Sequence, residues 1–270
     1  MAPQTSIPLA ATILGLIGTV LWCIQLCPQI WKSWRTKSTE GVPATMMLLW
    51  STSGLPFGVY AISSNFNIPL QVQPQFFCLF CLISWGQIMY YSHNWSARKA
   101  FLACAVILIL IAGLQVMLVL LCRGPYTNGK GWAEGFMTFI GIMACVMLVS
   151  GYLPIPSELM KRRGRLVGFS FLFLAVDWSG AFFSLMSLVA QNTFDITFGV
   201  LYALVAAIEA SMFISHGIWF LRTKSLRARA KEAGMTFDEY PEAIEWQDQG
   251  VDWTPETLMA RFRRKSSSSE

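Results

Sequence analysis

The sequence predicts an all-α membrane protein in which seven transmembrane helices form two parallel three-helix bundles joined by a linker helix. Three observations predict it. Seven apolar stretches are each long enough to cross a bilayer, Lys and Arg fall unevenly over the loops between them, and a proline-bearing helix end followed by a basic loop occurs twice. Composition agrees: of 270 residues 54% are hydrophobic and 13% charged, the proportions of a chain whose solvent is largely lipid. Of the 15 acidic residues, six (Glu40, Glu134, Glu158, Asp177, Asp195, Glu209) precede position 223, and nine crowd the last 48 residues.

About 20 apolar residues, rising roughly 1.5 Å each, cross a hydrocarbon core of about 30 Å. The first stretch, Pro8 to Cys27, lacks the basic start and the small-residue cleavage site of a signal peptide, so it is expected to remain as a span. The others run from Val42 to Ile62, Pro69 to Tyr91, Phe101 to Cys122, Trp132 to Leu153, Val167 to Ala190 and Ile196 to Leu221.

If the loops alternate across the membrane, one side holds Lys32, Arg35, Lys37, Arg98, Lys99, Lys161, Arg162, Arg163, Arg165 and every basic residue of the tail, 18 of the 20 in the chain. The other side holds Arg123 and Lys130. Basic loops are retained in the cytosol, so the N-terminus is expected to face a lumen or the exterior and the C-terminus the cytosol. The net charge of +5 then reflects topology, and no nucleic-acid partner is expected. Asn94-Trp95-Ser96 is a glycosylation sequon on the cytosolic side, where it is expected to stay unmodified. The seven cysteines lie in or at the edges of spans and read as small apolar residues. No histidine accompanies the Cys78-Cys81 pair, and no metal or cofactor is expected.

After the first span the chain reads Leu26-Cys27-Pro28-Gln29-Ile30-Trp31-Lys32, then Lys37-Ser38-Thr39-Glu40-Gly41. After the fifth it reads Tyr152-Leu153-Pro154-Ile155-Pro156-Ser157-Glu158, then Lys161-Arg162-Arg163-Gly164-Arg165 and Gly168. Gly41 to Trp50 and Gly168 to Asp177 have equal spacing, which sets the register of the helices that follow. Two copies with their loops on one side must be parallel, and three-helix copies then need a helix between them. The expected division is a first repeat over residues 1–95, a linker helix in 96–125, a second repeat with a degenerate motif over 126–222, and a tail over 223–270.

These residues resemble the PQ-loop repeat family, which takes its name from a Pro-Gln pair at the cytosolic end of the first helix of each repeat. Pro28-Gln29 followed by Lys37-Ser38-Thr39-Glu40-Gly41 carries the likeness; Pro154-Ile155-Pro156 has lost the glutamine. The likeness, of fungal type, covers roughly residues 8 to 222. It implies the 3+1+3 architecture that the family shares with SWEET sugar carriers. It also implies a function like that of cystinosin and the vacuolar or lysosomal amino-acid exporters. The Pro74-Gln75 pair at the start of the third span has no basic loop and reads as coincidental.

Proline lacks an N–H and clashes with the preceding turn, so it kinks a helix. Pro28, Gln29, Pro154 and Pro156 are therefore the hinge or gate candidates, with helix termination at the interface as the plainer alternative for Pro28. A carboxylate at membrane depth costs roughly 2.5–3.5 kcal/mol on insertion scales and usually marks a pathway. Asp177 and Glu209 are the two deep acids, candidates for proton coupling or substrate binding or else hydrogen-bonded structural acids. His216, two helical turns beyond Glu209, is a candidate relay or an interfacial residue. Trp50, Trp178 and Gln87 are candidates to line a central cavity.

The leading functional expectation is a secondary carrier, not an enzyme, that exports a small polar solute such as an amino acid from a vacuole, lysosome or other endomembrane compartment with protons. The alternative is a seven-helix receptor for signalling or for ER and Golgi trafficking. The tail is expected to be largely disordered. Within it Thr254-Pro255-Glu256 suggests a short basic helix, through Lys265, that rests on the anionic leaflet beside Ser266 to Ser269.

Overall fold

The computed structural model describes residues 6–39, 42–152, 154–166 and 171–249, except the side chains of residues 154, 157 and 158. The expected features at Glu40, Gly41, Gly168 and the 254–269 segment lie outside the described residues. Eleven α-helices are described: α1 Leu9–Ile24, α2 Leu26–Thr36, α3 Ala44–Ser63, α4 Ile68–Tyr91, α5 Ala97–Thr127, α6 Gly131–Ser150, α7 Pro154–Lys161, α8 Phe171–Val189, α9 Ile196–Arg222, α10 Lys224–Glu232 and α11 Pro241–Asp248.

Among the described residues six helical stretches are long and apolar enough to cross a membrane: Leu9–Thr36, Ile68–Tyr91, Ala97–Thr127, Gly131–Ser150, Phe171–Val189 and Ile196–Arg222. The chain is a multi-pass membrane protein. The expected count of seven differs by α3, whose 20 residues include Thr45, Ser51, Thr52, Ser53, Gly54, Pro56, Gly58 and Tyr60. Thirteen of its residues are buried, so its neighbours are protein rather than lipid and its composition need not be as apolar. The opposite case is α5, where 11% of the most apolar window is buried, against 33–50% in the other five stretches. Its exposed Phe101, Leu102, Ile109 and Leu120 suit contact with acyl chains.

The chain divides into two compact units. The first comprises residues 6–151 and 171–207. In it α1 packs on α8 and α4, and α3 packs on α4, α5 and α6. Close approach along the α1–α8 seam needs small residues: a Cβ on Gly18 would lie 2.5 Å from Ser184 Oγ and 2.8 Å from the Ser184 backbone nitrogen. At Gly180 an added Cβ would lie 2.2 Å from Trp22 Cδ1.

The second unit comprises residues 152–166 and 208–249. It is built on the second basic loop. Gly164, at φ +96, takes a backbone conformation that suits glycine, and an added Cβ there would lie 3.0 Å from the Ser215 carbonyl oxygen. Arg163 donates to the Trp246 carbonyl (2.7 Å) and lies 4.0 Å over the Trp246 ring. Arg165 pairs with Asp238, and Trp219 meets Phe237 edge-on at 5.2 Å. Within the tail expected to be largely disordered, residues 224–248 contain α10 and α11, and the loop meets α11 at Trp246 and the segment before it at Asp238. The reason is long-range: Arg163 and Arg165 supply partners that no local pattern in the tail reveals.

The Arg165 guanidinium holds the Asp238 carboxyl below its ordinary range. A carboxylate with a lowered folded pKa contributes stability above its unfolded value, near 4, and loses it as pH falls through the folded one. The Asp238 side chain is 63% exposed, so the effect is small. Rate-corrected amide exchange over residues 237–248 is expected to be faster in Asp238→Asn than in the wild type at pH 7. At pH 3 the difference is expected to shrink.

Candidate functional site

Pro28 has no N–H to offer the Ile24 carbonyl and its ring crowds that carbonyl. The helix breaks at Gln25, four residues on from Leu21, whose carbonyl still accepts the Gln25 N–H at 3.1 Å. It then resumes as α2 and runs eight residues beyond Pro28, to Thr36. Pro28 therefore lies inside a helix and does not end it. Pro28 is exposed, and Gln29, half-buried, donates to Ser33 Oγ at 3.1 Å. The glutamine at the α1–α2 junction is buried. Gln25 is 2% exposed, and neither atom of its amide has a protein hydrogen-bond partner.

One helical turn before Gln25, Trp22 is 1% exposed and donates its indole N–H to the Asp177 carbonyl at 3.1 Å. Its ring stacks on Phe77 (5.5 Å) and lies 5.5 Å from Tyr202. Asp177 itself is 2% exposed. Trp50, 1% exposed, donates to the Leu148 carbonyl at 3.0 Å and lies 5.6 Å from Phe77. A Cβ on Gly151 would meet the Trp50 ring at 2.0 Å. Gln25, Trp22, Asp177, Trp50 and Phe77 thus form a buried group in the first unit where α1, α3, α4 and α8 meet.

The weakly charged end of this unit, where α3 ends and α4 and α9 begin, carries a set of buried polar pairs. Asp195 caps α9 by accepting the Phe198 N–H at 2.9 Å. Its other oxygen accepts the Tyr60 hydroxyl at 2.8 Å, and Tyr60 stacks on Phe198 at 4.7 Å. Asp195 is 4% exposed, and burial pushes its carboxyl above the ordinary range. Nearby, Asn67 donates to Ser187 Oγ (2.8 Å) and Ser187 to the Ala11 carbonyl (2.6 Å). Tyr202 donates to Gln73 Oε1 (3.1 Å), whose amide nitrogen reaches Ser184 Oγ (3.2 Å).

The second unit holds the other deep acid. Glu209 is fully buried and accepts the Tyr152 hydroxyl at 2.7 Å. Tyr152 stands two residues before Pro154, so this bond ties the degenerate proline passage to α9. Pro154 and Pro156 lie in α7, with Pro156 exposed. His216 is half-buried and its Nδ1 accepts the Leu166 N–H at 3.0 Å. Glu209 and His216, which share a helix face in the sequence reading, are thus each held by the second basic passage through its own hydrogen bond.

Of the other expected site residues, Gln87 donates to the Ile30 carbonyl at 3.0 Å and braces α2 against α4. Trp178 is half-buried and stacks at 5.4 Å on Phe182, which is 38% exposed, away from the buried group. Sequence reasoning did not single out Asp195, Tyr60, Trp22, Asn67 or Gln73 as site residues. Asp195 did carry a signal: an Asp immediately before an apolar run is a helix-cap pattern. The others announce themselves only through distant partners.

The sequence profile of the PQ loop repeat matches residues 10–70, the region of the Pro28 break and of α3. Over 231 residues the chain is 43% identical to the uncharacterized membrane protein YDR090C of Saccharomyces cerevisiae, covering 85% of this chain and 72% of that one. The chain belongs to the PQ-loop repeat family. A second relative, the uncharacterized protein C2E12.03c of Schizosaccharomyces pombe, is 34% identical over 230 residues, covering 85% of this chain and 79% of its own length. Both relatives are fungal. The matched repeat contains the Gln25 break, so the PQ-loop signature and the buried amide belong to one local structure.

Proposed function

We propose that this PQ-loop protein is a secondary carrier for a small polar solute, and not an enzyme. On this reading α3 crosses the membrane as a seventh span, and the helices divide into three, one and three with α5 as the linker. The observation that carries the reading is the buried Gln25 amide. A donor and acceptor taken out of water without protein partners costs of the order of 1–3 kcal/mol, and native proteins leave few such groups without a reason. A solute that enters and leaves beside Gln25, Asp177 and the Trp22 and Trp50 rings supplies that reason.

The polar pairs at the weakly charged end support the same reading. A carrier must block one face while the other is open, and the Tyr60–Asp195 and Asn67–Ser187 bonds are suited to that block. We place this end in the lumen, because the basic loops carry 18 of the 20 Lys and Arg residues. The basic end and the tail are then cytosolic. A solute such as an amino acid leaves a vacuole, lysosome or similar compartment, with Asp177 and Glu209 as the proton-binding groups.

The test is flux of a labelled amino-acid panel into proteoliposomes under an imposed pH gradient. Gln25→Leu is expected to lower kcat/KM about tenfold, equivalent to the loss of one or two hydrogen bonds. Asp177→Asn with Glu209→Gln is expected to abolish acceleration by the pH gradient. No flux for any solute in a reconstituted and correctly folded protein would overturn the carrier reading; flux that is insensitive to both carboxyl substitutions would remove proton coupling. Microscopy of the tagged protein tests the compartment.

A further inference from the structure

Glu40 is the only acidic residue before Glu134, while Lys32, Arg35, Lys37, Arg98 and Lys99 crowd the same stretch. The basic end of the first unit therefore carries an excess of cations with few carboxylates nearby in sequence. Three membrane stretches terminate there, at Thr36, at Tyr91 and at Ala97, which sets it at the boundary between hydrocarbon and water. Between these ends lies an open cleft of about 440 Å3 lined by Lys37, Tyr90, Tyr91, Asn94 and Trp95.

The walls of the cleft are fixed. Lys37 and Asn94 both take left-handed backbone conformations (φ 54 and 55) that turn the chain at the cleft's edges. The hydroxyls of Thr39 and Ser92 meet at 2.6 Å and tie the first basic loop to the α4–α5 turn. Lys37 Nζ lies 4.9 Å from the Trp34 ring and 5.7 Å from the Tyr91 ring, and Lys99 Nζ lies 4.1 Å over Trp95. An aromatic face holds an ammonium in place without neutralising it. The Lys37 ammonium is thus held at the cleft it lines, and the Lys99 ammonium beside it on the Trp95 ring.

We propose that this cleft binds a phosphate-bearing anion, supplied either as the headgroup of an anionic phospholipid or as a soluble phosphate. Lysine is a point-charge phosphate binder. The Asn94 amide and the Tyr90 and Tyr91 hydroxyls add neutral donors for further oxygens. Tyr and Trp at this depth suit the glycerol and ester region of a lipid. A neutral or cationic ligand gains nothing from Lys37 and Lys99. The bound anion bridges the first basic loop and the α4–α5 turn, across the Thr39–Ser92 contact. The inference does not depend on the carrier reading, since it concerns a different surface and is tested by binding alone.

The test is native mass spectrometry of the full chain in detergent with added phosphatidic acid, phosphatidylcholine or inorganic phosphate. Phosphatidic acid is expected to be retained in preference to phosphatidylcholine. Lys37→Gln with Lys99→Gln is expected to weaken its retention roughly tenfold or more, whereas Lys224→Gln with Lys231→Gln leaves it unchanged. Retention of inorganic phosphate that is lost in the Lys37/Lys99 pair, without preference between the two lipids, supports the site and assigns it to a soluble phosphate. Equal retention of both lipids with no phosphate bound overturns the proposal, as does equal weakening by the two double variants.

Discussion

Gly180→Ala is expected to destabilise the protein by about 2–4 kcal/mol and, on the proposed carrier function, to reduce solute flux at least tenfold. The added Cβ would lie 2.2 Å from Trp22 Cδ1, far inside contact distance, and Trp22 is boxed in by Phe77, Phe57 and Tyr202. Overpacking a filled interior costs about 1–3 kcal/mol. The displaced indole also gives up its bond to the Asp177 carbonyl, for about 1 kcal/mol more. Thermal unfolding in detergent measures the first effect and proteoliposome flux the second. Trp22→Leu in the Gly180→Ala background makes room for the methyl, so the double variant is expected to lose less stability than the sum of the singles. A stability equal to wild type in Gly180→Ala alone would show that the ring has somewhere to go.

The second large effect is expected at the weakly charged end. Asp195→Ala removes the acceptor of the Tyr60 hydroxyl and the cap of α9 together. A buried hydroxyl left without a partner costs about 1–3 kcal/mol, and a lost cap about 1 kcal/mol, so about 2–4 kcal/mol is expected in the unfolding free energy. Tyr60→Phe removes only the shared hydrogen bond and is expected to cost less. In the double variant the penalty of Tyr60→Phe largely vanishes, since its partner has already gone. The pH dependence has a definite sign. Burial raises the Asp195 carboxyl, so the fold favours its protonated form. The associated stability is present below the unfolded value, near 4, and is lost as pH rises through the folded one. Stability of the wild type relative to Asp195→Asn is therefore expected to fall between acidic and neutral pH. A flat difference would show that this carboxyl does not titrate with folding.

Much of the architecture could be read from the chain because lipid imposes a one-dimensional rule. Runs such as Ala97–Thr127 must be apolar to face acyl chains, and Lys and Arg must collect at one set of loops. Pro28 announced a disturbance for the same local reason, although the break falls at Gln25 and not at the proline. What escaped was set by partners far along the chain. Asp177 and Glu209 stood out as deep acids, but Asp195 looked like a loop residue until Tyr60, 135 positions away, supplied its partner. Trp22 looked like one of eleven tryptophans until Gly180 gave it a place. Nothing in the tail's own composition reveals that Arg163 and Arg165 are the partners of Trp246 and Asp238.

The modest apolarity of α3 bears on how the protein is made. A segment with Ser51, Thr52, Ser53 and Pro56 at its centre gains little by partitioning alone from the translocon into lipid, where each polar residue is penalised. It is suited to enter together with α4, whose Cys78 carbonyl accepts the Ser51 hydroxyl at 3.1 Å. Substitutions that loosen the α3–α4 seam are therefore expected to lower the yield of inserted protein, before any finished molecule exists to be assayed.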